Sequence, residues 1–166
     1  MKARRATPCD LPRVLQIYGV ARELMKASGN PDQWGATYPP EELVREDLEK
    51  GCLHVLEQVD EEGKILLCGA FAFLPEGDDV YNNIEGKWLN DLPHAAIHRV
   101  ASSGEVRGVL PACVEFCLTK ASNLKIDTHA DNKIMQRQLE KAGFTPCGSI
   151  TLPDGSKRIA FQLCKE

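Results

Sequence analysis

Ile97-His98-Arg99-Val100-Ala101-Ser102-Ser103-Gly104-Glu105-Val106-Arg107-Gly108-Val109-Leu110 reads as a strand that runs through a glycine-containing turn into a helix. The turn is Ser102 to Gly108, and the helix begins near Val109. Backbone N–H groups at such a turn, and at the helix N-terminus behind it, lack intrachain partners and point outward. Together they make a cradle for a phosphate or pyrophosphate. The pattern continues outward. A strand over 124–128 leads into the turn Thr128-His129-Ala130-Asp131-Asn132. A second helix over 132–142 then ends at Gly143-Phe144. The chain looks built to hold an anionic cofactor at a strand–turn–helix junction.

The rest of the chain supports one domain over 1–166. Its length suffices to bury a full core. The apolar fraction of 43% and charged fraction of 27% are ordinary for a globular protein. A formal charge of −4 argues against a nucleic-acid partner, since phosphate neutralisation carries most of that affinity. No apolar run approaches the ~18 residues of a membrane span. Met1-Lys2-Ala3-Arg4-Arg5 has a signal-like charge but no apolar segment after it, so a cytoplasmic protein is expected. The seven cysteines include no C-x-x-C pair, and their number is odd. A disulfide framework and a metal site are not expected. Cys113 and Cys117 share a helix face, either as half a metal site or as two small buried hydrophobes.

Residues 2–6 read as a first strand. Asp10 is placed to cap a helix with apolar residues at Leu11, Val14, Leu15, Tyr18, Ala21 and Met25. Ser28-Gly29-Asn30-Pro31 stops it. After a loop, Pro40 suits the first position of a helix that runs to about Lys50. Strands over 53–59 and 65–73 flank the hairpin turn Asp60-Glu61-Glu62-Gly63. Residues 74–93 are loop-like, with a short strand near Asn83-Ile84-Glu85. A strand over 94–101 follows, and strands near 145–150 and 157–163 close the chain. The expected fold is α/β: three N-terminal strands joined by hairpins, two β-α-β crossovers, and a mixed sheet with helices on its faces.

This order and these motifs resemble the GNAT family of acetyl-CoA-dependent N-acetyltransferases over nearly the whole chain. In that family a turn written [Q/R]-x-x-G-x-[G/A] wraps the pyrophosphate of CoA. The matching residues are Glu105-Val106-Arg107-Gly108-Val109-Leu110. A second signature, Asn at the start of the next helix and Gly-Phe at its end, matches Asn132 through Gly143-Phe144. The resemblance implies a mostly antiparallel sheet of six to seven strands with a V-shaped splay, flanked by about four helices. It implies acetyl-CoA as cosubstrate, with backbone groups around Val100 and Ala101 pairing with pantetheine. Asn132 is then a cofactor contact or a cap. Glu105 and Leu110 depart from the family pattern, and Arg107 is placed to compensate for the anion at 105 by reaching a phosphate. Leu139 stands where relatives often carry a tyrosine acid.

Acetyl transfer to an amine needs a base. Period-2 alternation puts His94, His98 and Val100 on one strand face, so His98 is the first candidate base and His94 the second. Each is equally readable as a structural histidine. Glu85 is a third candidate. His129, flanked by Asp127 and Asp131, either meets substrate or holds its turn, and Asp131 is a candidate cap for the following helix. The acceptor side is expected from two loops: Asn30 to Tyr38, with Trp34 and Tyr38, and Asn83 to Asp91, with Trp88 and Asp91. Aromatic residues beside carboxylates suit a cationic amine. A small-molecule amine is the expected partner, and a homodimer stays open. The other readings are a non-catalytic acyl-CoA-binding module and an enzyme acting on a protein N-terminus or lysine.

Overall fold

A computed structural model describes the chain from Met1 to Glu166. The apolar periodicities become eight strands and four helices. In chain order these are β1 (Lys2–Arg5), α1 (Leu11–Ala27), α2 (Glu41–Glu49), β2 (Leu53–Val59), β3 (Ile65–Leu74), β4 (Ile84–Gly86) and β5 (Ala95–Ser102). They continue with α3 (Val109–Leu118), β6 (Asn123–Thr128), α4 (Lys133–Lys141), β7 (Thr145–Thr151) and β8 (Lys157–Cys164). All eight strands join one sheet in the order β1-β2-β3-β5-β6-β8-β7-β4. The one parallel pair is β5 with β6.

Three expectations change. The sheet has eight strands rather than six to seven, because β4 pairs with the edge of β7. That pairing needs glycine on both sides: a Cβ on Gly86 would lie 2.2 Å from the Cys147 carbonyl oxygen, and one on Gly148 would lie 2.1 Å from that of Glu85. Next, β1 and β2 are antiparallel but joined through α1 and α2, not by a hairpin. Finally, α4 does lead to a new strand, but β8 returns between β6 and β7, so only the crossover through α3 joins adjacent parallel strands. Asp10 also differs from expectation. Its carboxylate does not cap α1 but accepts from the Thr7 N–H at 2.7 Å and from Arg4 at 2.8 and 3.0 Å.

Two apolar layers cover the sheet. On one face, Val14, Ile17 and Tyr18 of α1 and Val44 of α2 pack on Val55, Ala70 and Ala101. On the other, Val109, Cys113 and Cys117 of α3 and Leu139 of α4 pack on Phe71, Ile97, Val100, Leu124 and Phe161. Cys113 and Cys117 are thus core residues, and burial pushes the Cys113 thiol well up. Fully buried side chains such as Ile17 and Leu124 each contribute about 1.5–3 kcal/mol. No helix is long and apolar enough to cross a membrane.

The decisive irregularity lies in β5. Ala72 pairs with His98 and Ala70 with Ala101, so Arg99 and Val100 together oppose Phe71. This is a β-bulge, and Arg99 occupies the left-handed region at φ 53°. The bulge resets the alternation. Val100 turns with Ile97 into the layer under α3, while His98 faces the opposite side against Tyr81. The expectation that His98 and Val100 share a face fails for this reason. Strain of ~1–3 kcal/mol is typical of such a backbone. It is offset by a fork of hydrogen bonds from Arg99 to Asp47 of α2, both at 2.8 Å, and by Tyr18, whose hydroxyl donates to the Arg99 carbonyl at 3.0 Å.

Both partners of the Asp47–Arg99 pair are largely buried, with side chains 7% and 11% exposed. Removing the carboxylate strands a buried guanidinium, which typically costs about 3–5 kcal/mol. Asp47→Ala should therefore lose roughly 3 kcal/mol or more in urea unfolding. A loss under ~1 kcal/mol would show that the bulge is held by other means.

Candidate active site

Pairing between β5 and β6 stops after Ala95 with Leu124 and Ala96 with Lys125. Beyond this point the two strands splay, and β5 residues 97–102 have no ladder partner on the β6 side. The gap opens into a cleft of about 620 Å³. Its walls are Ile97 to Val100 of β5 and Ile126 to Thr128 of β6. The loop carrying Gln33, Trp34 and Tyr38 and the β7–β8 turn close over it.

The turn before α3 lies at the α3 end of β5. Gly108 has φ 89° and precedes the helix as its N-cap, and a Cβ there would meet nothing within 4 Å. The N–H groups of Ser103, Gly104 and Glu105 are engaged within the protein. Those of Val106, Arg107, Gly108, Val109 and Leu110 donate to no protein acceptor. Five consecutive free donors at the positive end of a helix dipole favour an anion. Pro111 is the third residue of α3, where an N–H would lack a helical acceptor anyway. The Leu110 side chain points into the core and leaves the turn clear. Glu105 is neutralised by Arg13 of α1: Arg13 donates to its carboxylate, and Ser103 and Arg13 hold its pKa below the usual range.

The face of β5 that carries His98 holds a second constellation. His98 Nε2 lies 2.7 Å from Asp78 Oδ2. Asp78 Oδ1 accepts from the Val80 N–H at 3.0 Å, which fixes the carboxylate. The His98 contact holds the Asp78 carboxyl below its ordinary pKa. An ionised Asp78 makes Nε2 the protonated nitrogen, so in the neutral ring Nδ1 carries the lone pair. Nδ1 is 3.9 Å from Asp127 Oδ2. That oxygen accepts from the Tyr81 hydroxyl at 2.7 Å. Burial, then Asp127, pushes the Tyr81 phenol well up, so it stays a donor. The Tyr81 ring stacks on His98 with centroids 5.8 Å apart.

The structure gathers some of the expected residues and disperses others. Trp34, Tyr38, His98, Val100 and Asn132 line the cleft. Asn132 caps α4, accepting from the Met135 N–H at 3.0 Å, and its amide donates to Gln33 Oε1 at 2.9 Å. Asp131 is therefore not the cap. His94 packs against the Tyr81 ring outside the cleft, its Nε2 buried without a partner, and burial lowers its pKa. Glu85 is exposed on β4 and paired with Lys157 at 2.6 Å. Trp88 donates to the Tyr81 carbonyl and carries Lys125 over its ring, so it anchors packing. Asp91 is exposed on the same loop, away from the cleft. His129 holds its turn, accepting from the Asp131 N–H at 3.0 Å. Leu139 is fully buried in the core. Asp78 and Arg158 escaped sequence reading, since neither lies in a motif and their partners are 20 and 125 residues away.

No family model and no curated protein matches the chain. Solved structures do. A GNAT-family acetyltransferase from Streptococcus agalactiae superposes with a TM-score of 0.83 at 29% identity, covering 99% of this chain and 95% of that one. One from Listeria monocytogenes gives 0.68 at 18%, with coverages of 98% and 94%. A ribosomal-protein-alanine N-acetyltransferase from Brucella melitensis gives 0.60 at 19%, with coverages of 99% and 100%. This chain carries the GNAT fold, and its structural neighbours are GNAT-family acetyltransferases.

The Asp78–His98 contact has a direct readout. A depressed carboxyl pKa adds stability that is present above its unfolded value near 3.9 and is lost as pH falls through the folded value. In His98→Ala, Asp78 should titrate at higher pH than in the wild type, followed by carboxyl NMR. An unmoved titration would assign the depression to the Val80 N–H alone.

Proposed function

We propose that the protein is an acetyl-CoA-dependent N-acetyltransferase acting on a small primary amine. The observation that supports it most is the splay itself. It joins a turn with five free N–H donors to a cleft floored by an Asp–His pair and a second carboxylate. The chain's residues fit CoA: a Cβ on Gly108 would meet nothing within 4 Å, and the N–H groups of Val106 to Leu110 have no protein acceptor.

The N–H groups of Val106 to Leu110 would hold the pyrophosphate, with Arg107 free to reach a phosphate. Backbone groups around Val100 and Ala101 would pair with the pantetheine arm, as a strand partner does. When bound, acetyl-CoA supplies the acetyl group as a thioester, whose carbon–sulfur bond breaks as the amide forms. Asp127 draws the acceptor ammonium toward His98. The Nδ1 lone pair of His98 takes its proton, directly or through one water. Asp78 keeps the ring in the tautomer and orientation that this requires, and it steadies the imidazolium that results. Tyr81 orients Asp127 without giving up its own proton. Leu139 offers no acid, so the departing thiolate would take up the second proton shed by the acceptor nitrogen, directly or through water. Trp34 and Tyr38 wall the acceptor side. A partly covered cleft of about 620 Å³ suits a small molecule better than a folded protein surface.

Release of CoA thiol with a panel of primary amines tests the reading, and binding of acetyl-CoA without turnover on any amine would instead favour a non-catalytic module. His98→Gln should lower kcat/KM by about 100-fold and remove the acid limb of its pH profile. An intact profile would exclude His98 as the base. Gly108→Val forces a β-branched side chain into the left-handed region and should weaken acetyl-CoA binding at least ~10-fold by calorimetry. Unchanged affinity would sink the placement of the pyrophosphate.

A further inference from the structure

Arg158 of β8 lines the cleft and is only 7% exposed. A guanidinium buried to that degree is normally matched by a carboxylate. Arg158 takes part in none of the molecule's ion pairs. Its hydrogen bonds go to two backbone carbonyls, Lys157 at 2.9 Å through Nη1 and Gln33 at 3.2 Å through Nη2. Nε has no protein acceptor and is not sealed from solvent. The group is therefore fixed in place without a direct ion-pair partner, and the Asp154 carboxylate feels its charge only from a distance beyond 4 Å.

Gln33 lies beside it. Its Oε1 accepts from Asn30 at 2.8 Å and Asn132 at 2.9 Å, which orients the side-chain amide. Its Nε2 has no protein acceptor and is likewise not sealed off. One corner of the cleft thus presents the Arg158 Nε–H and the Gln33 side-chain amide without protein acceptors. Asp127 pairs across the sheet with Ala160, so Arg158 is its diagonal neighbour on the same face. Diagonal neighbours are ~7–8 Å apart, a span that one small zwitterion bridges.

We propose that Arg158 and Gln33 bind a carboxylate of the acceptor, so that the acceptor is an amine bearing a carboxylate, amino-acid-like in its chemistry. A planar monoanion matches the fork of a guanidinium. A dianionic phosphate suits the corner less, because Asp32, Asp127 and Asp154 line the same cleft. The inference rests on the cleft being the acceptor site of the acetyltransferase proposed above.

The test compares phenylalanine with phenethylamine, and leucine with isoamylamine, as acceptors at saturating acetyl-CoA. Each amino acid should exceed its decarboxylated partner in kcat/KM by at least ~30-fold, the scale of losing one side of a buried charge pair. Arg158→Gln should abolish that preference by raising KM for the amino acid, with the amine and acetyl-CoA affinity little changed. Gln33→Glu keeps the acceptor for Asn30 and Asn132 but removes the donor, and should reduce the preference in the same direction. If Arg158→Gln does not fold, Arg158→Lys carries the test, retaining the charge but losing most of the preference. Equal rates for the paired acceptors, or an equal loss on both in the variants, would overturn the proposal. Absence of turnover on every amine would count against acetyl transfer alone. Equilibrium binding of the same pairs then decides the corner, and wild-type protein that does not favour the amino acid would refute it.

Discussion

The ion pair between Asp47 and Arg99 is the contact on which the rest of this molecule depends. It clamps a residue of β5 in the left-handed region, aided by the Tyr18 hydroxyl on the same residue's carbonyl. The clamp produces the bulge, and the bulge accompanies the parting of β5 from β6. Without it, alternation would carry Val100 to the face of His98 and offer the parallel pair a chance to continue. The pair is buried, so it acts as a position-setting device more than as net stability. Helix α2 otherwise lays Val44 on the sheet, so Asp47 is the residue by which it acts on β5.

Electrostatic separation organises the space that the splay creates. Backbone donors collect at one end, where the turn before α3 offers five N–H groups and the helix dipole. Carboxylates collect at the other, where Asp78 and Asp127 flank His98. Glu105 sits among the donors yet does little harm, because Arg13 takes up its charge. A cleft with these two ends suits an anionic carrier entering from one side and a cationic acceptor from the other. The lone guanidinium of Arg158 adds a third feature, set across the sheet from Asp127.

Much of the architecture was legible in the residues. Strand and helix limits follow local periodicity and moved by only one or two residues, as in the strand read at 65–73 and found at 65–74. The Asn132 to Phe144 segment and the Gly108 turn carry their geometry locally, through a cap and a positive φ. The acceptor loop was half legible. Trp34 and Tyr38 reach the cleft, while Trp88 and Asp91 do not, because their loop crosses the opposite ends of β6 and β8, where Leu89 donates to Gln162 and Asn123 donates to Asn90. Aromatic residues beside carboxylates look alike in sequence whether they face a substrate or a neighbouring strand.

The sequence by itself determined the elements, the donor-rich turn and the likeness to the GNAT fold, since each depends on residues within a few positions of one another. Only the tertiary structure decided the site. The bulge at Arg99 needs Asp47, which lies 52 residues earlier. The orientation of His98 needs Asp78, from a stretch with no motif. The corner at Arg158 needs Gln33, 125 residues away. Such contacts are set by how the sheet closes and which faces its helices cover, and no local spacing encodes them.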